Sequence, residues 1–247
     1  MSGEVHVFAV DGLPEVGEGD RLGPLIAARA RLRDGDVVVI SQKVVSKAEG
    51  RIRRLSEVEP GAEATELAAS LGKDPRQVQL VLDESRRIVR AERGVLITET
   101  RHGLVCANAG IDASNLPEDG TVALLPADPD ASARMIRSEL ADRALTGVVI
   151  ADSFGRAWRL GQAEVAIGCA GITPLDDWRG RADATGRELS ATVIAVADQI
   201  AAAADLVRDK ASGVPAAVLR GLDRFVTEED GPGGAALRRR ESEDLFR

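Results

Sequence analysis

The chain has 247 residues, with 32 Lys+Arg against 40 Asp+Glu for a formal net charge of −8, and is 44% hydrophobic and 29% charged. That is an ordinary globular composition, but four Phe, two Trp and no Tyr leave few rings on which bases could stack. The acidic balance also gives no broad attraction to phosphate backbones, so a nucleic-acid partner is not expected. Cys106 and Cys169 are too few and too far apart for a disulfide scaffold or a four-Cys zinc site. Each sits in an apolar run and reads as a buried thiol. No stretch approaches the ~18 apolar residues that span a bilayer. Met1-Ser2-Gly3-Glu4 lacks the basic and apolar regions of a secretory signal, so the expected compartment is the cytoplasm.

In chain order, Arg21–Arg33 predicts a helix, with Leu22, Leu25, Ile26 and Leu32 apolar and Gly35 as its stop. Val37–Ile40 is a continuous apolar run, the pattern of a strand buried on both faces. Asp74-Pro75 opens a second helix, Asp as N-cap and Pro in the first turn, carrying Val78, Val81, Leu82 and Val89 to an end near Gly94. Val95–Thr98 and Val122–Leu125 read as further buried strands. Asp128-Pro129 repeats the helix start before Met135, Ile136, Leu140 and Leu145, and Val148–Ala151 returns to strand. The longest helix is expected from about Gly186 to Leu206, followed by a strand at Ala216–Leu219. This alternation implies a mixed α/β chain. Residues 1–247 carry no repeat and no Ser/Gly/Pro-rich linker, and read as one domain or as two interlocked halves. Glu228–Gly234 reads as a low-order segment, and Arg238-Arg239-Arg240 after it as a solvated tail rather than a phosphate clamp.

Three strand ends carry polar residues, where α/β proteins usually place their sites. After Asp36–Ile40 comes Ser41-Gln42-Lys43-Val44-Val45-Ser46-Lys47, in which two lysines and two hydroxyls could hold phosphate oxygens or simply be solvated. Val105–Asn115 brings Asp112, Ser114 and Asn115 together after small residues. They are either an Asx-type turn or an oxygen and amide donor set. Val148–Arg159 delivers Asp152 and Ser153 at a strand end, then Gly155, Arg156 and Arg159. That reads either as a helix N-cap with solvated arginines or as a cation-and-anion site. If Asp112 and Asp152 converged to ~4 Å they would repel by about 4 kcal/mol at an effective dielectric near 20. Such a pair shares a proton or a cation, and the neighbouring hydroxyl and amide oxygens favour the cation.

These segments resemble the coenzyme F420-0:L-glutamate (γ-glutamyl) ligases, including the N-terminal domain of the bifunctional mycobacterial type. The resemblance is carried by Gly12-Leu13-Pro14-Glu15, Asp34–Val39, Lys43-Val44-Val45-Ser46-Lys47, Gly94–Glu99 and Ala109–Asn115. It continues through Leu124-Leu125-Pro126, Asp152–Arg159, Ala202–Val207 and Val218-Leu219-Arg220-Gly221. So many segments in order cover nearly the whole chain.

The resemblance implies a GTP-dependent ligase that adds L-glutamate to coenzyme F420-0 and extends the γ-linked tail through an acyl phosphate. It implies two divalent-ion sites for Mn²⁺ or Mg²⁺, with Asp112 and Asp152 as ligands of the first and Ser153 of the second. K⁺ is a further family cofactor with no ligand assigned here. GTP contacts fall on Leu13, Pro14, Glu15, Val16, Gln42, Lys47 and Asn115. The chain departs from the mycobacterial type at Gln42, where Ser is expected, and at Val16, where Phe is expected. Ser153 stands where the family often has Thr. Arg156 is added as a catalytic anion-binding candidate from the residues themselves, ahead of Arg159. The implied fold is an α/β arrangement (mixed α+β) that assembles as an intertwined homodimer, with no nitroreductase-like domain in this sequence. Two other readings are a nucleotide- or F420-binding homologue without catalysis and a metal-dependent phosphohydrolase. The acids at Asp112 and Asp152 and the hydroxyl at Ser153 argue against the former.

Overall fold

The computed structural model describes residues 3–114, 116, 118–208 and 212–245. The first strand, β1 (His6–Ala9), leads through an irregular segment to the short helix α1 (Leu22–Ala27), and then β2 (Val37–Ser41) passes directly into α2 (Gln42–Ala48). After β3 (Ile52–Arg54) come helices α3 (Ala62–Leu71) and α4 (Pro75–Asp83), then strands β4 (Ser85–Glu92), β5 (Val95–Thr100), β6 (Val105–Ala107) and β7 (Thr121–Ala123). Helix α5 (Pro129–Leu140) precedes the long hairpin β8 (Gly147–Arg156) and β9 (Arg159–Ala170). The chain continues with β10 (Leu175–Asp177), β11 (Val193–Ala195), α6 (Val196–Asp205) and β12 (Ala216–Arg220).

The central sheet has the order β1-β12-β2-β8-β9. Its β2–β8 pair is parallel and the others antiparallel. Alternation along β2 explains why its whole run is apolar. Val38 and Ile40 face one hydrophobic cluster with Ile26, Ile136 and Leu140 from α1 and α5. Val37 and Val39 face the opposite cluster with Val196, Ile200 and Ala204 from α6. Both faces are covered, so a polar residue on either one would be buried. A third cluster joins α3 and α4 to Leu96, Val122 and Leu124. Small sheets β3–β7, β4–β5–β6 and β10–β11 flank this framework.

Mixed α/β architecture is as expected, and the apolar runs at Val37–Ile40, Val148–Ala151 and Ala216–Leu219 lie in central strands. Several boundaries differ. The Asp74 cap forms, accepting the Arg76 N–H at 2.9 Å, but the helix ends at Asp83 rather than near Gly94. Val89 instead belongs to β4, whose partner β5 offers it a ladder, and Arg93-Gly94 (φ 54° and 75°) form the turn of that hairpin. The strand at Val95–Thr98 is covered on one face only, with Val95 exposed and Leu96 and Thr98 buried. The Gly186–Leu206 helix shrinks to Val196–Asp205, because Val193–Ala195 pairs with β10. Arg21–Arg33 likewise keeps only Leu22–Ala27 as helix.

The C-terminal segment is not loose. Arg137 donates to Asp230 (2.7 Å) and to the carbonyls of Thr227 and Glu228, which fastens Glu228–Gly234 to α5. Asp130 accepts N–H groups from Cys169, Gly234 and Ala235, tying the first turn of α5 to β9 and to this segment. Among the described residues no helix is long and apolar enough to cross a membrane. A Cβ on Gly168 would run into the backbone of Pro129, which cannot yield without moving α5. Gly168→Ala should therefore destabilise the protein by about 1–3 kcal/mol, read as a lowered urea midpoint at unchanged slope.

Candidate active site

The strands β2 and β8 run parallel in register, with Ile40 beside Ile150 and Ser41 beside Ala151. Both therefore reach one edge of the sheet together. There β2 turns into α2, which carries Gln42, Lys43 and Lys47, while β8 delivers Asp152 and Ser153. A cavity of about 680 Å³ opens at this edge. It is the crevice beyond strand ends in which α/β sheets place ligands.

Asp112 arrives from a separate part of the chain. The turn before it holds Asn108, Ala109 and Gly110 in succession at φ of 51°, 54° and 71°. Two consecutive non-glycine residues in the left-handed region store strain, which tends to be kept where it aims a functional group. The backbone of Asp112 then pairs with Ala123 in both directions (3.1 and 2.8 Å), which fixes its carboxylate against the cavity. Its Oδ1 accepts the Ser114 N–H at 2.7 Å, and its Oδ2 takes the Ser114 hydroxyl at 3.0 Å and Lys43 Nζ at 2.7 Å. The Asx turn and the charged contact are thus both present. Burial opposes ionisation of Asp112, but the bonds from Lys43 and Ser114 outweigh it and hold the carboxyl below its ordinary range.

Asp152 has the opposite environment. Burial, the nearby Glu164 charge and, more weakly, Asp112 push its carboxyl up to about 7, against a bond from the Ser153 N–H and the Lys43 charge. The two aspartates so face one cavity, one neutralised by a lysine and the other not. Glu164 lies opposite Ser153 across the β8–β9 ladder. It accepts the Ser153 hydroxyl at 2.6 Å and Arg208 Nη2 at 3.2 Å, both ends of the ion pair being almost fully buried. Neither Glu164 nor Arg208 was singled out in the sequence. A lone acid in an alternating strand and a lone Arg after a helix carry no motif, and only the fold brings them to Ser153.

Of the expected nucleotide contacts, Leu13, Pro14, Glu15, Val16, Gln42 and Lys47 all line the cavity. Lys47 pairs with Glu15 at 2.5 Å, and Gln42 is buried and accepts the Ser46 hydroxyl at 3.0 Å. Asn115 lies outside the described residues. Asp112, Asp152 and Ser153 line the same cavity, but Arg156 and Arg159 do not. Arg156 is turned back on the hairpin tip, donating to the carbonyls of Leu160 (2.5 Å) and Gly161 (3.4 Å), so within one chain the structure does not bring it to the aspartates. Trp158, between Arg156 and Arg159, stands 82% exposed at that tip.

The cavity's donors are hard oxygens, which suit Mg²⁺ or Mn²⁺. Among the described residues no three His, Cys, Asp or Glu side chains close on a single point. One or two carboxylates, completed by phosphate oxygens and water, is the usual protein share of a Mg²⁺ site that a nucleotide enters. The uncompensated charge at Asp152 fits such a cation. Cys106 and Cys169 are buried as expected. Burial, and Asp152 beside Cys106, push both thiols up to about 12 with Asp130 and Asp198 acting on Cys169. Neither thiol is poised as a nucleophile at neutral pH.

The sequence model of the F420-0:Gamma-glutamyl ligase family matches residues 12–221. A coenzyme F420:L-glutamate ligase of Archaeoglobus fulgidus is 47% identical over 222 residues, covering 89% of this chain and 88% of that protein. The protein of the same name from Methanothermobacter thermautotrophicus is 44% identical over 253 residues, covering 98% and 99%. The one from Methanopyrus kandleri is 47% identical over 237 residues, covering 94% of each.

Raised to about 7 from an ordinary 3.8, Asp152 binds its proton more tightly in the folded chain than in the unfolded one. Its contribution to stability is therefore present at low pH and lost as pH rises through about 7. Metal-free wild type should lose melting temperature over that span, and Asp152→Asn, which cannot ionise, should lose less. At pH 8 the variant should melt higher, at about 2–4 °C per kcal/mol regained. Calorimetry in chelator across pH checks this, and parallel pH profiles for the two proteins would contradict it.

Proposed function

The chain belongs to the F420-0:gamma-glutamyl ligase family, and from that membership we propose that it is a GTP-dependent enzyme joining L-glutamate to coenzyme F420-0 and extending the γ-linked tail. It is an amide-forming ligase, as its curated relatives are named. The observation that carries the reading is the meeting of Asp112 and Asp152, from segments far apart in sequence, in one cavity with Lys43 and Lys47. Two acids suit divalent ions and two lysines suit phosphate oxygens, and acyl activation by a nucleotide needs both.

A carboxylate is a poor acyl donor until one of its oxygens becomes a good leaving group. In the proposed reaction the acceptor carboxylate takes the γ-phosphoryl group of GTP and GDP departs. The glutamate amine then attacks the acyl carbon of the acyl phosphate, phosphate leaves with the C–O bond electrons, and the nitrogen gives up its proton. Bound Mn²⁺ or Mg²⁺ would screen the charge between phosphoryl oxygens and the acceptor. Asp112 and Asp152 would hold the first ion and Ser153 the second. Glu164, accepting the Ser153 hydroxyl proton, orients that hydroxyl at the cavity wall. Lys47, released from Glu15, would bind phosphate oxygens, and Leu13–Val16 with Gln42, which line the cavity, would contact the nucleotide. A contact from Asn115 rests on the family resemblance alone. Arg156 is assigned no step here, since within one chain its guanidinium donates to carbonyls of its own hairpin. The reading carries a homodimer with it. Trp158 and Leu160, 82% and 96% exposed at the hairpin tip, are apolar side chains that such an assembly would cover.

Mass spectrometry of F420-0 incubated with GTP, Mn²⁺, L-glutamate and the protein should show products spaced by one glutamyl residue, with GDP formed in step. GDP release at the same rate without glutamate and F420-0 would instead indicate a phosphohydrolase. No turnover would indicate a binding protein. Lys47→Ala, which loses a charge-assisted phosphate contact worth about 1.5–3 kcal/mol, should lower kcat/KM for GTP by about 10- to 100-fold in a coupled GDP assay.

A further inference from the structure

We propose that Lys43 is an internal counter-cation of the site, holding Asp112 while the cavity is empty and yielding that carboxylate to a divalent ion when a nucleotide arrives. The proposal rests on the ligase reading above and deepens it, assigning a role to a residue that the family resemblance leaves unassigned.

Lys43 and Lys47 are one helical turn apart on α2, so both side chains leave the same face. Their side chains are only 15% and 14% exposed, unusual for lysine, and each meets a carboxylate. An ammonium has three donors. At Lys43 all three directions are taken, by Asp112 Oδ2 (2.7 Å), the Ser114 carbonyl (2.7 Å) and the Ser114 hydroxyl (2.8 Å). A cation therefore already stands at a carboxylate proposed to ligate a metal. A divalent ion on Oδ2 competes with this ammonium for the same lone pairs, and on either oxygen the two cations repel each other, so metal binding at Asp112 drives Lys43 to withdraw. The backbone under it stays put, because Val44 and Val45 are buried in the core cluster. The displacement is confined to the four-carbon stem. Leaving Asp112 strands the ammonium unless another anion is within reach, and phosphate oxygens in the cavity supply one.

Exchange of this kind couples the two ligands. Metal alone must displace Lys43 without compensation and binds weakly. Metal with nucleotide binds tightly, and by linkage the nucleotide gains the same factor from the metal.

The test is Mn²⁺ binding followed by the electron paramagnetic resonance signal of the unbound ion, first without nucleotide and then with a non-hydrolysable GTP analogue. Lys43→Met should bind Mn²⁺ at least tenfold more tightly than wild type when no nucleotide is present, and Lys43→Gln should behave alike if the Met variant folds poorly. Lys43→Arg, which keeps the charge, should remain near wild type. The tightening of Mn²⁺ by the analogue should be smaller in the neutral variants than in wild type. Neutral variants that bind Mn²⁺ no tighter than wild type, or that gain as much from the analogue, overturn the proposal while leaving the ligase reading intact. A wild-type protein that takes up no Mn²⁺ even with the analogue overturns the metal site and the proposal together.

Discussion

Because β2 and β8 pair in parallel, with Ser41 beside Ala151, the residues that follow each strand emerge at one edge of the sheet. The residues proposed for the chemistry are arranged around that edge. From β2 the chain enters α2 without a loop, so Lys43 and Lys47 are set by the helix and not by a mobile segment. From β8 it continues into an antiparallel hairpin, so Asp152 and Ser153 sit on a strand whose partner supplies Glu164. Burial of both sheet faces makes the pairing hard to shift. A slip of one residue would exchange Val37 and Val39 with Val38 and Ile40 between two differently shaped clusters.

At the other end of β2, Asp36 is fully buried and is held by Arg220 through two bonds of 2.8 and 2.7 Å and by the Arg33 N–H. This carboxylate receives a paired cation from its own chain, whereas the Asp152 carboxyl gains only the Ser153 N–H and the weaker influence of the Lys43 charge. Two acids, Asp36 fully buried at the start of β2 and Asp152 partly buried on β8, thus differ in whether the fold supplies their counter-charge. The satisfied one is structural. The unsatisfied one lies in the cavity, where a ligand can supply what the chain withholds. Part of the net charge of −8 is therefore local to the site rather than spread over the surface.

Much of the framework was legible because binary patterning suffices for strands covered on both faces and for helices with an Asp-Pro start. Asp128 caps α5 by accepting the Ala131 N–H at 2.9 Å, as the Asp-Pro pair implied. Patterning failed where two structures satisfy the same residues. Ser85–Glu92 alternates too weakly to declare itself a strand, and it becomes one because β5 lies beside it. The segment before α6 lost its helix in the same way, to a ladder with β10. Glu228–Gly234 reads as unstructured because its composition is polar, yet Arg137 donates to the Glu228 carbonyl and Asp130 accepts the Gly234 N–H.

The sequence by itself determined the α/β character, the buried strands, the buried thiols and the family, since each is a property of residue order within a segment or of many segments in series. It also named the two aspartates, because polar groups at the ends of apolar runs are conspicuous. Only the tertiary structure decided that they share a cavity, that Lys43 already holds one of them, and that Glu164 and Arg208 stand behind Ser153. It also turned Arg156 away from them, into its own hairpin. Charge interactions depend on distance in space, and a one-dimensional pattern does not contain the strand register that fixes that distance.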